Sequence, residues 1–511
     1  MRRRRRIQER KVKIESDQGG PELVRTGVAG LDDVLGGGLV ADRIYLIDGD
    51  PGTGKTTLGL QFLLDGLRQG ERGLYVTLSE TLAELQEVAR SHGWSLDGLD
   101  ILELSPSEDA LAAEAENTMY HAWEIELGET TKALLDRVEA QKPRRVVLDS
   151  LSEMRLLAQS PLRYRRQILG LKQFFTGRHC TVLMLDDRTS DSTDLHLQSI
   201  AHGVLALDRL SPDYGVMQRR LQVLKLRGRA FRAGYHDYLI ARGGLIVYPR
   251  LVSAEHGGSY PPSQLKSGIA ELDAVMHGGL DRGTSVLLMG AAGTGKSTLA
   301  AQYAHAAAER GDAVAFFVFE ESRRLLLMRA AGLGIALQKH VDSGRVTIRH
   351  VDPGEMTVGR LVHLIREQVE QCQAQMVIID SLNGYLNAIP ETRFLGLHLH
   401  ELLSYLGQRG VTTLMIMAQH GLVGDEMQSP VDTSYLADAV ILLRYFEAAG
   451  RVRQALAVVK KRGGAHERTI REYRFTERGI VVGEPLREFQ GVLRGVPDYI
   501  GRNMPLLGEE A

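Results

Sequence analysis

The sequence predicts an α/β protein built from two tandem P-loop domains, each a mostly parallel sheet flanked by helices. Three observations carry this reading. The chain of 511 residues repeats itself. Each repeat alternates apolar, β-rich runs with helical patterns. Each also places a glycine-rich phosphate-binding motif between a strand and a helix.

Length alone exceeds what one hydrophobic core supports, so several domains are expected. A composition 43% hydrophobic and 25% charged belongs to a globular chain, not a disordered or fibrous one. The formal net charge of −2 gives no overall pull toward nucleic acid or an acidic membrane. Arg2 to Arg6 form a basic run, read as part of a tail over residues 1–18. No apolar segment follows it, so it is not a secretory signal. No apolar stretch reaches the roughly 18–20 residues of a membrane span, and no membrane role is expected. Cys180 and Cys372 lie in different halves. They read as buried, reduced thiols of a cytoplasmic protein rather than as a disulfide.

The repeat is read from aligned segments. TGVAGLDDVLGGGL from Thr26 returns as SGIAELDAVMHGGL from Ser267, and GDPGTGKTT from Gly49 returns as GAAGTGKST from Gly290. RRVVLDSL around Asp149 returns as AQMVIIDSL around Asp380, and LKLRG around Arg227 as VKKRG around Arg462. A period of about 240 residues is far too long for a solenoid and marks a duplicated domain. The Gly-, Ser- and Pro-rich stretch 253–264 reads as a linker. The first domain is then expected over 19–252 and the second over 265–495, with a tail over 496–511.

Gly49, Gly52, Gly54, Lys55 and Thr56 satisfy G-x-x-x-x-G-K-[ST], as do Gly290, Gly293, Gly295, Lys296 and Ser297. Each motif follows an apolar strand (IYLID, SVLLM) and opens a helix. Glycines let the backbone fold into a nest whose N–H groups face phosphate oxygens, and the helix N-terminus adds its dipole. Thr53 and Thr57, with Thr294 and Thr298, complete the expected nucleotide-binding sets. Lys55 and Lys296 are expected at the β- and γ-phosphates of ATP, and the hydroxyls of Thr56 and Ser297 on Mg²⁺. Asp149 and Asp380 end apolar strands and fit the acid that steers that magnesium.

Together these residues resemble the KaiC-like family of double-domain RecA-fold ATPases and autokinases. The resemblance runs from about Thr26 to Gly495, and further marks are FEES at Phe319–Ser322 and DSL after both acids. It implies a RecA fold and a glutamate pair acting on the attacking water or hydroxyl. Glu320 and Glu321 match that pair; the first half has Ser79 and Glu80 instead. If the strand continued, its alternation would keep Glu80 from taking the missing carboxylate's place. The resemblance also implies that Lys225 with Arg227, and Lys460 with Arg462, reach a neighbouring subunit's γ-phosphate. A ring homo-oligomer follows, by family analogy a hexamer. Ser434 matches the serine of a Ser-Thr phosphosite, with Tyr435 in place of the threonine. Two other readings stay open at this point. One is a RecA/RadA-like DNA-dependent ATPase, against which the even charge balance argues. The other is an ATP-glued ring scaffold with little catalysis that signals to unknown protein partners.

Overall fold

A computed structural model describes residues 21–104, 122–158, 160–188, 195–211, 215–387, 395–419, 434–494 and 497–500. The expected basic tail over residues 1–18 lies outside the described residues. The chain divides into two compact units, with the main change from one to the other at Arg250–Leu251 and the short stretch 212–216 grouped with the second. Each unit is built on one nine-stranded sheet.

In the first unit the sheet strands are β1 (Ile44–Gly49), β2 (Gly73–Thr77), β3 (Asp100–Glu103), β4 (Arg145–Asp149), β5 (Thr181–Asp187), β6 (Gly203–Leu210), β7 (Gln218–Leu226), β8 (Tyr235–Ala241) and β9 (Gly244–Tyr248). Their spatial order is β3-β2-β4-β5-β1-β6-β7-β8-β9. The first six are parallel, and β7 to β9 form an antiparallel wing. The second unit repeats the order with β10 (Ser285–Gly290), β11 (Ala313–Val318), β12 (Val346–His350), β13 (Ala374–Asp380), β14 (Thr412–Ala418), β15 (Ala439–Ala448), β16 (Arg451–Lys461), β17 (Ile470–Thr476) and β18 (Gly479–Pro485).

The central strands are apolar because both faces are covered. On β1, Tyr45 and Ile47 join one buried cluster and Ile44 and Leu46 the other. On β10, Val286 and Leu288 join one and Leu287 the other. This is the two-residue alternation of a strand feeding two layers of helices. The helix after each P-loop, α1 (Lys55–Arg68) and α2 (Lys296–Glu309), packs into one of these layers.

Among the buried charges of the first unit, one guanidinium lies deepest. Arg145, only 1% exposed, opens β4. Its Nη1 donates to the carbonyls of Phe62 (2.7 Å) and Arg25 (3.0 Å) and faces Asp65 at 3.3 Å, while Nε meets Glu71 at 2.5 Å. All these partners are needed, because an uncompensated buried guanidinium is costly.

Three local outcomes bear on the expectations. Cys180 is buried, but Cys372 is exposed and not a core residue, because it follows the end of a surface helix (Val358–Glu370). Within the stretch read as linker, Ser253–Glu255 form a 3₁₀ turn and Gln264–Leu265 pair with Leu280–Asp281. Within the stretch read as a C-terminal tail, Asp498–Tyr499 pair with Phe489–Gln490. Among the described residues no helix is long and apolar enough to cross a membrane.

Candidate nucleotide-binding sites

Each P-loop leaves the carboxyl end of the central strand and turns into a helix, as the motif requires. Gly54 and Gly295 sit at positive φ, +92° and +89°. A Cβ on Gly54 would lie 2.6 Å from the Ile240 side chain, and one on Gly295 would enter the Phe475 ring. The antiparallel wing thus packs directly on the loop. It also holds the loop by a hydrogen bond. Tyr238 of β8 donates to the Thr53 carbonyl at 2.7 Å, and Tyr473 of β17 donates to that of Thr294.

Both lysines fold over their own loops. Lys55 Nζ donates to the carbonyls of Gly49 (2.7 Å) and Asp50 (3.0 Å) and pairs with Asp187 at 2.7 Å. Lys296 Nζ donates to Gly290 (2.9 Å) and Ala291 (2.6 Å), and burial pushes its ammonium down to about 8. The strand position of Asp187, opposite Gly49, is Ala418 opposite Gly290 in the second half. Among the described residues only the first lysine makes an ion pair with an acid.

The acids stand where a magnesium ion is expected. Thr56 donates to Asp149 Oδ2 at 2.8 Å, and Tyr75 donates to the same oxygen at 2.5 Å. Ser297 hydrogen-bonds Asp380. Asp380 Oδ2 is buried with no hydrogen-bond partner among the described residues. Burial raises both carboxyls, that of Asp380 to about 6. A hydroxyl beside a buried acid with an unspent oxygen is a donor set that fits a hard cation.

The glutamates lie past the strands. β2 stops at Thr77 and β11 at Val318, and the next three residues bend in both halves. The alternation expected to turn Glu80 away therefore does not extend to it. Instead, Glu80 N donates to Thr77 Oγ1 at 2.9 Å, and that hydroxyl donates to Glu80 O at 2.7 Å. Glu320 accepts from Ser381 N (3.0 Å) and Ser381 Oγ (2.6 Å). Glu321 accepts from Arg329 Nε (3.2 Å) and Nη2 (2.6 Å), and Arg329 Nη1 donates to Thr298 Oγ1 at 2.7 Å. In the first half the position of Arg329 is Val88, eight residues after the glutamate. Glu80 Oε2 is buried without a partner among the described residues. Burial, then the charges of Asp149, Glu84 and Asp187, push its carboxyl up to about 7.

A stability prediction follows from Glu80. Its folded value lies above the ordinary 4.5, so from pH 4.5 to 7 the unfolded chain binds fewer protons than the folded one. Stability falls as pH rises through that window, and the penalty is constant above it. The group is only half-buried, so screening limits the penalty to about 1 kcal/mol. Glu80→Gln is expected to raise the first unit's melting point at pH 8 by about 2–4 °C and to change it little at pH 5. Thermal scans at both values check this, and an equal shift at both would remove the argument.

The two basic pairs stand elsewhere. Lys225 donates to the carbonyls of Gln198 (2.5 Å) and Ala201 (2.8 Å), and Arg227 to that of Ser199 (2.7 Å). Lys460 donates to the Ser434 carbonyl (2.9 Å), and Arg462 to that of Tyr435 (2.8 Å). Along β6, Leu207 is opposite Gly49 while Lys225 is opposite Val204, and Arg227 N bonds His202 O. Along β15, Leu443 is opposite Gly290 while Lys460 is opposite Val440, and Arg462 N bonds Asp438 O. In both halves five residues of strand, about 17 Å, separate the arginine's level from the P-loop's. P-loop, acid and glutamate occupy the carboxyl edge of the sheet; the basic pair occupies the amino edge.

Sequence reasoning missed Tyr75, Asp187, Arg329, Tyr238 and Tyr473. The last two were findable, since Tyr-x-Ile at 238–240 and Tyr-x-Phe at 473–475 recur at matching points of the repeat.

A family model for the KaiC ATPase matches residues 24–252 and again 265–487. The circadian clock protein KaiC3 of Synechocystis sp. is 26% identical over 495 residues, spanning 96% of this chain and 97% of its own. The circadian clock oscillator protein KaiC of Synechococcus elongatus is also 26% identical over 495 residues, spanning 93% and 92%.

Proposed function

Because the chain belongs to the KaiC family of ATPases, we propose that it binds Mg-ATP at both P-loops and hydrolyses it between copies of itself in a homohexameric ring. One observation supports this most. The basic pairs sit at the sheet edge opposite their own P-loops, in both halves and at the same strand offset. Lys225 with Arg227, and Lys460 with Arg462, then serve a neighbour's nucleotide, where guanidinium suits charge spread over phosphoryl oxygens. Lys55 and Lys296 leave their loop carbonyls for phosphate oxygens. Thr56 with Asp149, and Ser297 with Asp380, hold Mg²⁺, whose charge offsets that of the phosphates. Glu320 and Glu321 orient and deprotonate the nucleophile in the second half; Glu80 stands alone in the first. The printed names of the relatives support a timing or signalling role.

The same geometry supports autophosphorylation at Ser434, with residues 420–433 just before it outside the described set. Ser434 lies beside Lys460 at the amino edge, so a neighbour's nucleotide supplies the phosphoryl group. The serine oxygen bonds to the γ-phosphorus, the bond to ADP breaks, and a neighbour's glutamate takes the proton. Tyr435, 57% exposed and bulkier than threonine, does not reproduce a second phosphosite. Incubation with Mg-ATP is expected to release phosphate without DNA, to give a ring on a sizing column, and to leave one phosphoserine. Phosphopeptide mapping of wild type and Ser434→Ala reads the last point. Turnover with unmodified Ser434 removes the kinase step alone; dependence on DNA selects the DNA-dependent ATPase instead, and absence of turnover removes hydrolysis.

A further inference from the structure

Away from the nucleotide sites, three side chains with metal-binding donors converge at the carboxyl end of α2. His305 and Glu309 are one turn apart on α2 and so share a face. His340 comes from the helix Leu337–Asp342 and is 6% exposed. His305 Nδ1 lies 3.1 Å from His340 Nε2, and His340 Nε2 lies 3.2 Å from Glu309 Oε1. His305 Nε2 lies 3.8 Å from the same carboxylate oxygen. Among the described residues these form the one group of at least three such side chains whose ligand atoms fall within 4.8 Å of one another.

We propose that His305, Glu309 and His340 form a binding site for a borderline divalent transition ion such as Zn²⁺. Ligands about 2.0–2.1 Å from a tetrahedral zinc stand about 3.3 Å from one another, and two of the separations are already 3.1 and 3.2 Å. Two imidazoles and one carboxylate are a common zinc donor set, and water fills the fourth position. The setting favours a cation as well. Glu309 closes α2, whose last turn carries no basic residue, so the helix carbonyls there lack a positive partner within the helix. The trio is not a by-product of the duplication, because Leu64 and Arg68 occupy the positions of His305 and Glu309 in the first half.

A bound ion would staple the P-loop helix to the helix Leu337–Asp342, which precedes β12. It would do so at the end of α2 remote from Lys296, so its role is structural. One competitor is present. The ammonium of Lys339 pairs with Glu309 Oε1, the same oxygen that lies near both imidazoles. Metal binding must displace that pair.

The test uses full-length, untagged, nucleotide-free protein stripped with a chelator and titrated with Zn²⁺ against a competing dye. One ion per chain is expected, with a rise in the second unit's melting point. His305→Ala and Glu309→Gln should each weaken binding by about tenfold or more; both positions are at least partly exposed, so folding should survive. Lys339→Ala should strengthen binding, which a merely structural histidine pair does not predict. Equal zinc uptake by wild type and both ligand variants, or binding no tighter in Lys339→Ala, would overturn the proposal.

Discussion

Arg462→Ala is expected to lower second-site turnover by about 10²–10³ while Mg-ATP binding survives. Arginines supplied to a transferring phosphoryl group from a second chain are worth about 10³–10⁵ in GTPases, and the Lys460 beside it moderates the loss here. Binding survives because the P-loop and its lysine lie at the other edge of the sheet. The placement is tested by mixing. Lys296→Ala protein and Arg462→Ala protein are each inactive in the second half. Subunits that exchange should regain part of the activity, since some interfaces then join an intact P-loop to an intact arginine. Arg462 also holds the Tyr435 carbonyl and faces Asp438. Arg462→Lys therefore serves as a control for the fold of that turn. No recovery in subunits shown to exchange would count against action between chains.

Glu320→Gln combined with Glu321→Gln is expected to remove most turnover, about 10²–10⁴ in the second half, with nucleotide binding nearly intact. The neutral isosteres keep the bonds to Ser381 and one of the two to Arg329 but cannot accept a proton. Glu80→Gln is expected to cost less, because one carboxylate faces the first site instead of two. The ranking is exposed to a sharp challenge from the structure. A half-buried carboxyl held at about 7, its Oε2 without a hydrogen-bond partner among the described residues, has the proton affinity of an effective base near neutral pH. Phosphate release from the three variants decides it. Should Glu80→Gln prove the more damaging, the first site is the main ATPase.

The parts of the fold carried by local pattern were legible in the sequence. A duplicated register, strand–loop–helix context and glycine spacing are short-range signals, and they locate β1, β10 and both P-loops. The strand-end positions of Asp149 and Asp380 were legible for the same reason, since each ends an apolar run. Failures came where a general habit was applied at the end of an element and where geometry depends on distant residues. Glu80 was judged by strand alternation, yet Thr77 ends the strand and ties Glu80 into a turn. Cys372 was judged by the burial habit of cysteine, whereas its place just beyond a surface helix leaves it exposed. Tyr75 reaches Asp149 across 74 residues and Tyr238 reaches Thr53 across 185. The recurring Tyr-x-Ile and Tyr-x-Phe mark Tyr238 and Tyr473, but no local pattern names a partner at that range. Asp187 reads in sequence as a strand end, and only the sheet order puts it against Lys55.

The buried arginine of the first core bears on how a duplicated chain keeps its halves apart while folding. Two repeats with the same strand order invite domain-swapped misassembly, a known failure of tandem proteins. Strand β4 begins with Arg145, and the matching strand β13 has Met376 there. Were β4 to enter the second sheet, Arg145 would meet Ala306 where Asp65 belongs and the shorter Asp312 where Glu71 belongs. A buried charge stripped of a partner costs about 3–5 kcal/mol, a sizeable share of a typical domain's stability. The reverse exchange would leave Asp65 and Glu71 facing a thioether. A single buried cation thus gives the two matching strands different demands on their surroundings, which disfavours exchange between the halves.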